Sequence, residues 1–108
     1  MALNILFICS RNQWRSPTAE TIYKNIAGVN ARSAGTEPSA RIKVSATMIQ
    51  RADIIFVMEK KHKQRLLENF PEDCRDKRII VLDIPDEYQY MDEELIATIM
   101  QSVEPYLK

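Results

Sequence analysis

The chain has 108 residues, 15 basic and 15 acidic side chains and a formal net charge of zero. That balance gives no global field for nucleic acid or an anionic membrane surface, so an anion has to be attracted locally. Two cysteines make no disulfide framework, and with a single histidine they offer no metal-ligand cluster.

The 45% hydrophobic, 28% charged composition suits one globular domain over residues 1–108, with no repeat or linker. The opening MALNILFICSRN has a short apolar run with no basic flank, so it reads as a strand rather than a signal peptide. No run is long enough for a membrane span. Free thiols and a cytoplasmic protein are expected.

In chain order, LNILFIC (3–9) is a continuous apolar run, as in a strand buried on both faces of a parallel sheet. SPTAETIYKNIA (16–27) reads as a helix, with Ser16 as N-cap, Pro17 at the first helical position and Gly28 as the stop. VNARSAG (29–35) is a second strand ended by Gly35, TEPSARIKV a polar loop, and SATMIQRA a short helix capped by Ser45. DIIFVM is a third strand, KKHKQRLLENF a helix stopped by Pro71, and RIIVLDI a fourth strand. In DEELIATIMQSVEPYL, Leu95, Ile96, Ile99, Met100 and Val103 form a helical stripe; Asp92 caps it and Pro105 should end or bend it.

Alternating strands and helices imply right-handed crossovers and a three-layer α/β domain with a four-stranded parallel sheet. Ligands of such sheets bind at the C-terminal rim of the strands. Cys9 and the segment from Asp83 to Asp86 both fall on that rim.

The stretch CSRNQWRS joins the first strand to the first helix. A helix N-terminus and a loop with converging N–H groups make a cradle for a tetrahedral anion. Arg15 adds a planar fork able to grip two oxygens. Both features favour a thiolate at Cys9, and Ser16 is placed to donate a hydrogen bond to its sulfur. The plain alternative, a structural cysteine before a helix that starts with Arg by chance, does not explain the capped continuation RSPTAE.

ILFICSRNQWRSPTAE, with ARSAGT, ADIIFVMEKKHKQRL and IPDEY, resembles the low-molecular-weight protein tyrosine phosphatases over most of the chain. The resemblance implies strand order 2-1-3-4. It also implies hydrolysis of phosphotyrosine, on a protein or a small aryl phosphate, through a phosphocysteine and without metal or cofactor. Cys9 would be the nucleophile, Arg15 the phosphate-binding residue, and Ser10, Arg11, Asn12, Gln13, Trp14 and Ser16 the rest of the phosphate loop. Asn12 would hold the loop in shape, as Asn tolerates a left-handed backbone, and Ser33 would bond it from the neighbouring strand.

The family's general acid lies in an Asp-Pro-aromatic stretch, whereas this chain reads LDIPDEYQY with the proline first. Alignment on IPDEY puts Asp86 at the acid, with Asp83 as the alternative. Tyr88 and Tyr90 would flank an aromatic leaving group.

Other departures concern the loop and its surroundings. Arg11 stands where the family has a small residue and should point out of the cradle. Trp14 stands where many members have a second, protective cysteine, and Cys74 is assigned no role. The region between Thr36 and Asp53 is short for the family and lacks one wall of the substrate cleft. Glu37, Arg41 and Lys43 in it are expected to be solvated surface, and His62, among lysines, is expected to face solvent.

Three rival readings remain. A phosphate-binding module on the same scaffold would lack turnover. An arsenate reductase would need more cysteines for its disulfide relay. A sugar-transport phosphocarrier would need neither Arg15 nor Asp86. A monomer is expected, with no nucleic-acid or membrane partner.

Overall fold

The computed structural model describes residues 2–107. In chain order it contains β1 (Leu3–Cys9), α1 (Arg15–Tyr23), β2 (Val29–Gly35), α2 (Ala46–Arg51) and β3 (Ile54–Val57). There follow α3 (Lys60–Asn69), α4 (Pro71–Cys74), β4 (Arg78–Val81) and α5 (Glu93–Leu107). The strands form one parallel sheet in the order β2-β1-β3-β4, the expected order.

The unbroken apolar run of β1 has its predicted cause. Ile5, Phe7 and Cys9 face a core with Tyr23 of α1 and Leu95, Ile99 and Val103 of α5. Leu6 and Ile8 face a second core with Ile49 of α2, Leu66 of α3 and Cys74 of α4. A strand with helices on both sides has no polar face to offer water. Among the described residues, no helix is long and apolar enough to cross a membrane.

Some boundaries differ from the sequence expectation. Helix α1 starts at Arg15 behind Trp14, which makes no side-chain cap, so Ser16 lies inside the first turn and its hydroxyl is used elsewhere. The helix ends at Tyr23, and the chain turns back at Gly28 (φ 81°). Pro71 does stop α3, but it also opens α4, where a first-turn proline loses no hydrogen bond. Pro105 neither ends nor breaks α5. The last turn is held by Tyr106, which packs edge-on to Phe56 at 5.8 Å and beneath the Arg78 guanidinium at 5.2 Å. Ser45 and Asp92 cap α2 and α5 as expected, accepting from Met48 N and from Glu94 N and Leu95 N.

Gly35 ends β2 against the β1–α1 loop. A Cβ there would stand 2.5 Å from Ser10 O and 2.7 Å from the Ala40 Cβ, so the two backbones meet only without a side chain. Gly35→Ala is expected to destabilise the fold by roughly 1–3 kcal/mol through overpacking and to push the loop outward. Urea unfolding measures this; a midpoint equal to wild type would show that the approach can relax freely.

Candidate active site

Residues 10–14 curl from β1 into α1, and the carbonyls from Cys9 to Asn12 are turned to partners. Cys9 O accepts from Thr36 N (3.0 Å), Ser10 O from Glu37 N (2.9 Å), and Arg11 O from Arg41 N (3.0 Å). Asn12 O accepts from Arg41 Nε (3.0 Å). The backbone N–H groups of residues 10–16 find no acceptor among the described residues. Asn12 adopts the left-handed conformation (φ 56°), which curls the loop. Bonded carbonyls and free amides at a helix N-terminus make a nest for an anion.

The nucleophile candidate lies at the floor. Cys9 Sγ is 2.9 Å from Ser16 Oγ. The Ser33 hydroxyl donates to the Glu20 carboxylate (2.5 Å), so it accepts from Asn12 Nδ2 (2.9 Å). The same amide nitrogen donates to Ser16 Oγ (2.8 Å), which leaves the Ser16 proton for the sulfur or for Ala34 O at 3.4 Å. A carboxylate on α1 thus orients a chain of donors as far as the Ser16 oxygen, 2.9 Å from Cys9 Sγ. Asn12 Oδ1 is buried and finds no partner among the described residues.

Arg15 is 2% exposed. Its Nη1 donates to Glu59 Oε2 (2.5 Å) and to Ile84 O (2.9 Å), while Nε is 3.6 Å from Asp86 Oδ1. One edge of the guanidinium is therefore fixed, and Nε and Nη2 keep hydrogens for a bidentate anion. Partial burial pushes the Glu59 carboxyl up, but the hydrogen bond and charge of Arg15, with Lys61 and His62, outweigh it and hold it below its ordinary value.

Cys9, Arg15 and Asp86 line one pocket of about 310 Å³ with Ser10, Arg11, Gln13, Trp14, Glu37 and Lys61. A larger depression of about 770 Å³ runs along β2; Lys24, Arg32 and Arg51 line it, with no cysteine, serine or histidine.

The fold matches that of solved phosphatases. A mutant of YwlE from Bacillus subtilis superposes with a TM-score of 0.74 at 24% identity, covering 99% of this chain and 100% of that one. The tyrosine phosphatase Wzb from Escherichia coli K30, in complex with phosphate, gives 0.77 at 21% identity over 98% and 96%. Residues 4–49, which span the cradle, β2 and the start of α2, match the family described as low molecular weight phosphotyrosine protein phosphatase. A curated relative, the protein-arginine-phosphatase of Bacillus subtilis (strain 168), is 28% identical over 95 residues, and the chain covers 63% of that relative's length.

The pocket brings some of the expected site residues together and leaves others outside. Asp86 lines the pocket; Asp83 does not, being an exposed residue in the left-handed conformation (φ 57°). Tyr88 and Tyr90 are likewise absent from the lining. Tyr88, partly buried, packs against the core that contains Ile84 and Leu95, and the Tyr90 hydroxyl meets Thr21 Oγ1 at 2.8 Å. The segment is stitched to α1, with Met91 N donating to Thr18 Oγ1 (2.9 Å), which draws both rings away. The aromatic at the mouth is Trp14, 42% exposed.

Arg11 points outward as expected and pairs with Glu37 at 3.2 Å. Glu37 and Arg41 are not mere solvated surface: they brace the loop from the short segment after β2. Cys74 lies in the opposite core from Cys9, its thiol pushed up by burial and by Asp73, so the sheet separates the two sulfurs. His62 is the main correction. It is 1% exposed, and it touches the cradle. Its neighbours in KKHK are lysines, so only the docking of α3 on the loop reveals it.

Proposed function

We propose that the chain, as one domain over residues 1–108, is a cysteine-dependent phosphatase that hydrolyses phosphate monoesters, chiefly protein phosphotyrosine. The observation that carries this reading is the convergence of Cys9, Arg15 and Asp86 on one pocket whose floor is a nest of free amides. The Cys9 thiolate attacks phosphorus in line while Arg15 and the loop amides hold the equatorial oxygens. The P–O bond to the leaving group breaks, and Asp86 gives that oxygen its proton. Asp86 then takes a proton from water as it attacks the phosphocysteine, releasing phosphate and the thiolate. Ser16 donates to the sulfur in both states. The route draws on no metal or cofactor, and a reducing cytoplasm suits the two free thiols.

The similarity to a protein-arginine-phosphatase favours a second reading, hydrolysis of phosphoarginine. The face of Trp14 suits either a phenol ring or a guanidinium. Arg11 and Lys61 at the mouth disfavour the cation. Phosphotyrosine and phosphoarginine peptides of one sequence decide between them. A kcat/KM at least about tenfold higher for phosphotyrosine is expected, equivalent to about 1.4 kcal/mol of discrimination. The reverse ranking makes the protein an arginine phosphatase, and turnover of neither leaves a phosphate-binding module.

A further inference from the structure

His62 occupies the third position of α3, behind the cradle. Its Nδ1 lies 3.0 Å from Glu59 N, which can only donate, so Nδ1 must carry a lone pair. The ring proton of neutral His62 is therefore on Nε2, 2.9 Å from Ser10 Oγ. A hydroxyl that receives this hydrogen has its own proton left to give. Ser10 lines the pocket with Cys9, so that proton is available to an anion there.

We propose that His62 is a positioning residue: through its Nε2–H it holds the Ser10 hydroxyl as a hydrogen-bond donor into the anion cradle. The inference rests on the phosphatase reading and adds to it a side-chain donor that the amides and Arg15 do not supply. The capping box of α3 sets the tautomer, because the Glu59 side chain accepts from His62 N–H while the Glu59 N–H bonds the ring. The same Glu59 carboxylate holds Arg15, so one helix start aligns both donors.

A protonated ring would break this arrangement, since its Nδ1–H would face the Glu59 N–H. The charged groups around His62 are Arg15 from α1, Glu59 before α3, and Lys61 and Arg65 on it. Burial, then Arg15, lower the imidazole to about 4, with Glu59 opposing and the other two cations adding to the shift. His62 thus stays neutral at the pH where a phosphatase would work, and Ser10 stays a donor.

His62 is the sole histidine, so the imidazole signals of a ¹⁵N-labelled sample need no assignment. The expected spectrum is a neutral Nε2–H tautomer from pH 8 down to about 4. Two substitutions divide the ring's functions. Asn mimics Nδ1 and keeps the bond from Glu59 N, whereas Gln reaches as far as Nε2 and keeps the donor to Ser10. His62→Asn is expected to weaken inorganic phosphate binding and kcat/KM for an aryl phosphate by about tenfold, the usual worth of one hydrogen bond to a charged group. Ser10→Ala loses the same, the double variant loses no more, and His62→Gln recovers most of the loss.

An Nδ1–H tautomer, an imidazolium at neutral pH, additive losses, or a Gln variant as impaired as Asn would each overturn the proposal while leaving phosphatase turnover intact. A wild type that neither binds inorganic phosphate nor turns over the aryl phosphate would overturn the proposal together with the reading beneath it. In that case the tautomer would still be seen.

Discussion

Cys9→Ser is expected to lower steady-state hydrolysis of an aryl phosphate by about four orders of magnitude or more, the scale of loss on removing an enzyme nucleophile. The reason is chemical. Ser16 and the loop amides can stabilise a thiolate 2.9 Å from Ser16 Oγ, but a serine hydroxyl at the same place stays neutral and is a poor nucleophile. The cradle itself survives, because its donors are backbone amides, Arg15 and the relay from Glu20, none of which depends on sulfur. Calorimetric titration with inorganic phosphate should therefore give an affinity close to that of wild type. Residual turnover within about tenfold of wild type would assign the nucleophile elsewhere and end the phosphocysteine route.

Asp86→Asn separates the proton donor from the cradle. Loss of general-acid catalysis is expected to slow a phosphotyrosine peptide by about 10²–10⁴-fold and a substrate with a far more acidic phenol much less. A good leaving group departs as an anion without a proton, so the difference between substrates, rather than the loss alone, identifies the acid. Asp86 is exposed and 3.6 Å from the Arg15 Nε, so its replacement removes a weak ion pair and leaves the fold intact. Asp83→Asn should leave both substrates nearly unaffected, since Asp83 lies outside the pocket. If Asp83→Asn gives the leaving-group-dependent loss and Asp86→Asn does not, the assignment is reversed.

These outcomes also bear on the short segment after β2. It forms no tall wall, yet through Thr36, Glu37 and Arg41 it bonds three successive carbonyls of the loop. Arg41 bonds a fourth through its side chain. A compact brace thus stands where a cleft wall was expected to be missing. The pocket above it is open, polar and bounded by one aromatic, Trp14. Such a mouth suits a phosphorylated side chain that projects from a protein surface better than an enclosed small molecule.

The sequence by itself determined the cradle and the sheet that carries it. The proposed nucleophile, the loop, the arginine and the helix start all lie within residues 9–17, so their mutual geometry follows largely from local backbone preferences. The apolar runs of β1 and β3 likewise announced a sheet covered on both faces, because a two-sided core leaves no polar alternation.

The tertiary structure alone decided what surrounds the cradle. His62 lies 52 positions from Ser10, and Arg41 lies 29 from Asn12, so no local pattern links them. A histidine among lysines reads as solvated until the N-terminus of α3 docks on the loop and takes one side of that turn out of water. The tyrosines after Asp86 lie outside the pocket lining for the complementary reason. Their spacing suits a substrate, but partly buried Tyr88 packs against the core and the hydroxyl of half-exposed Tyr90 meets Thr21 Oγ1. Which way a side chain turns at a rim depends on the partners that long-range packing brings within reach, and those are not written in its neighbours along the chain.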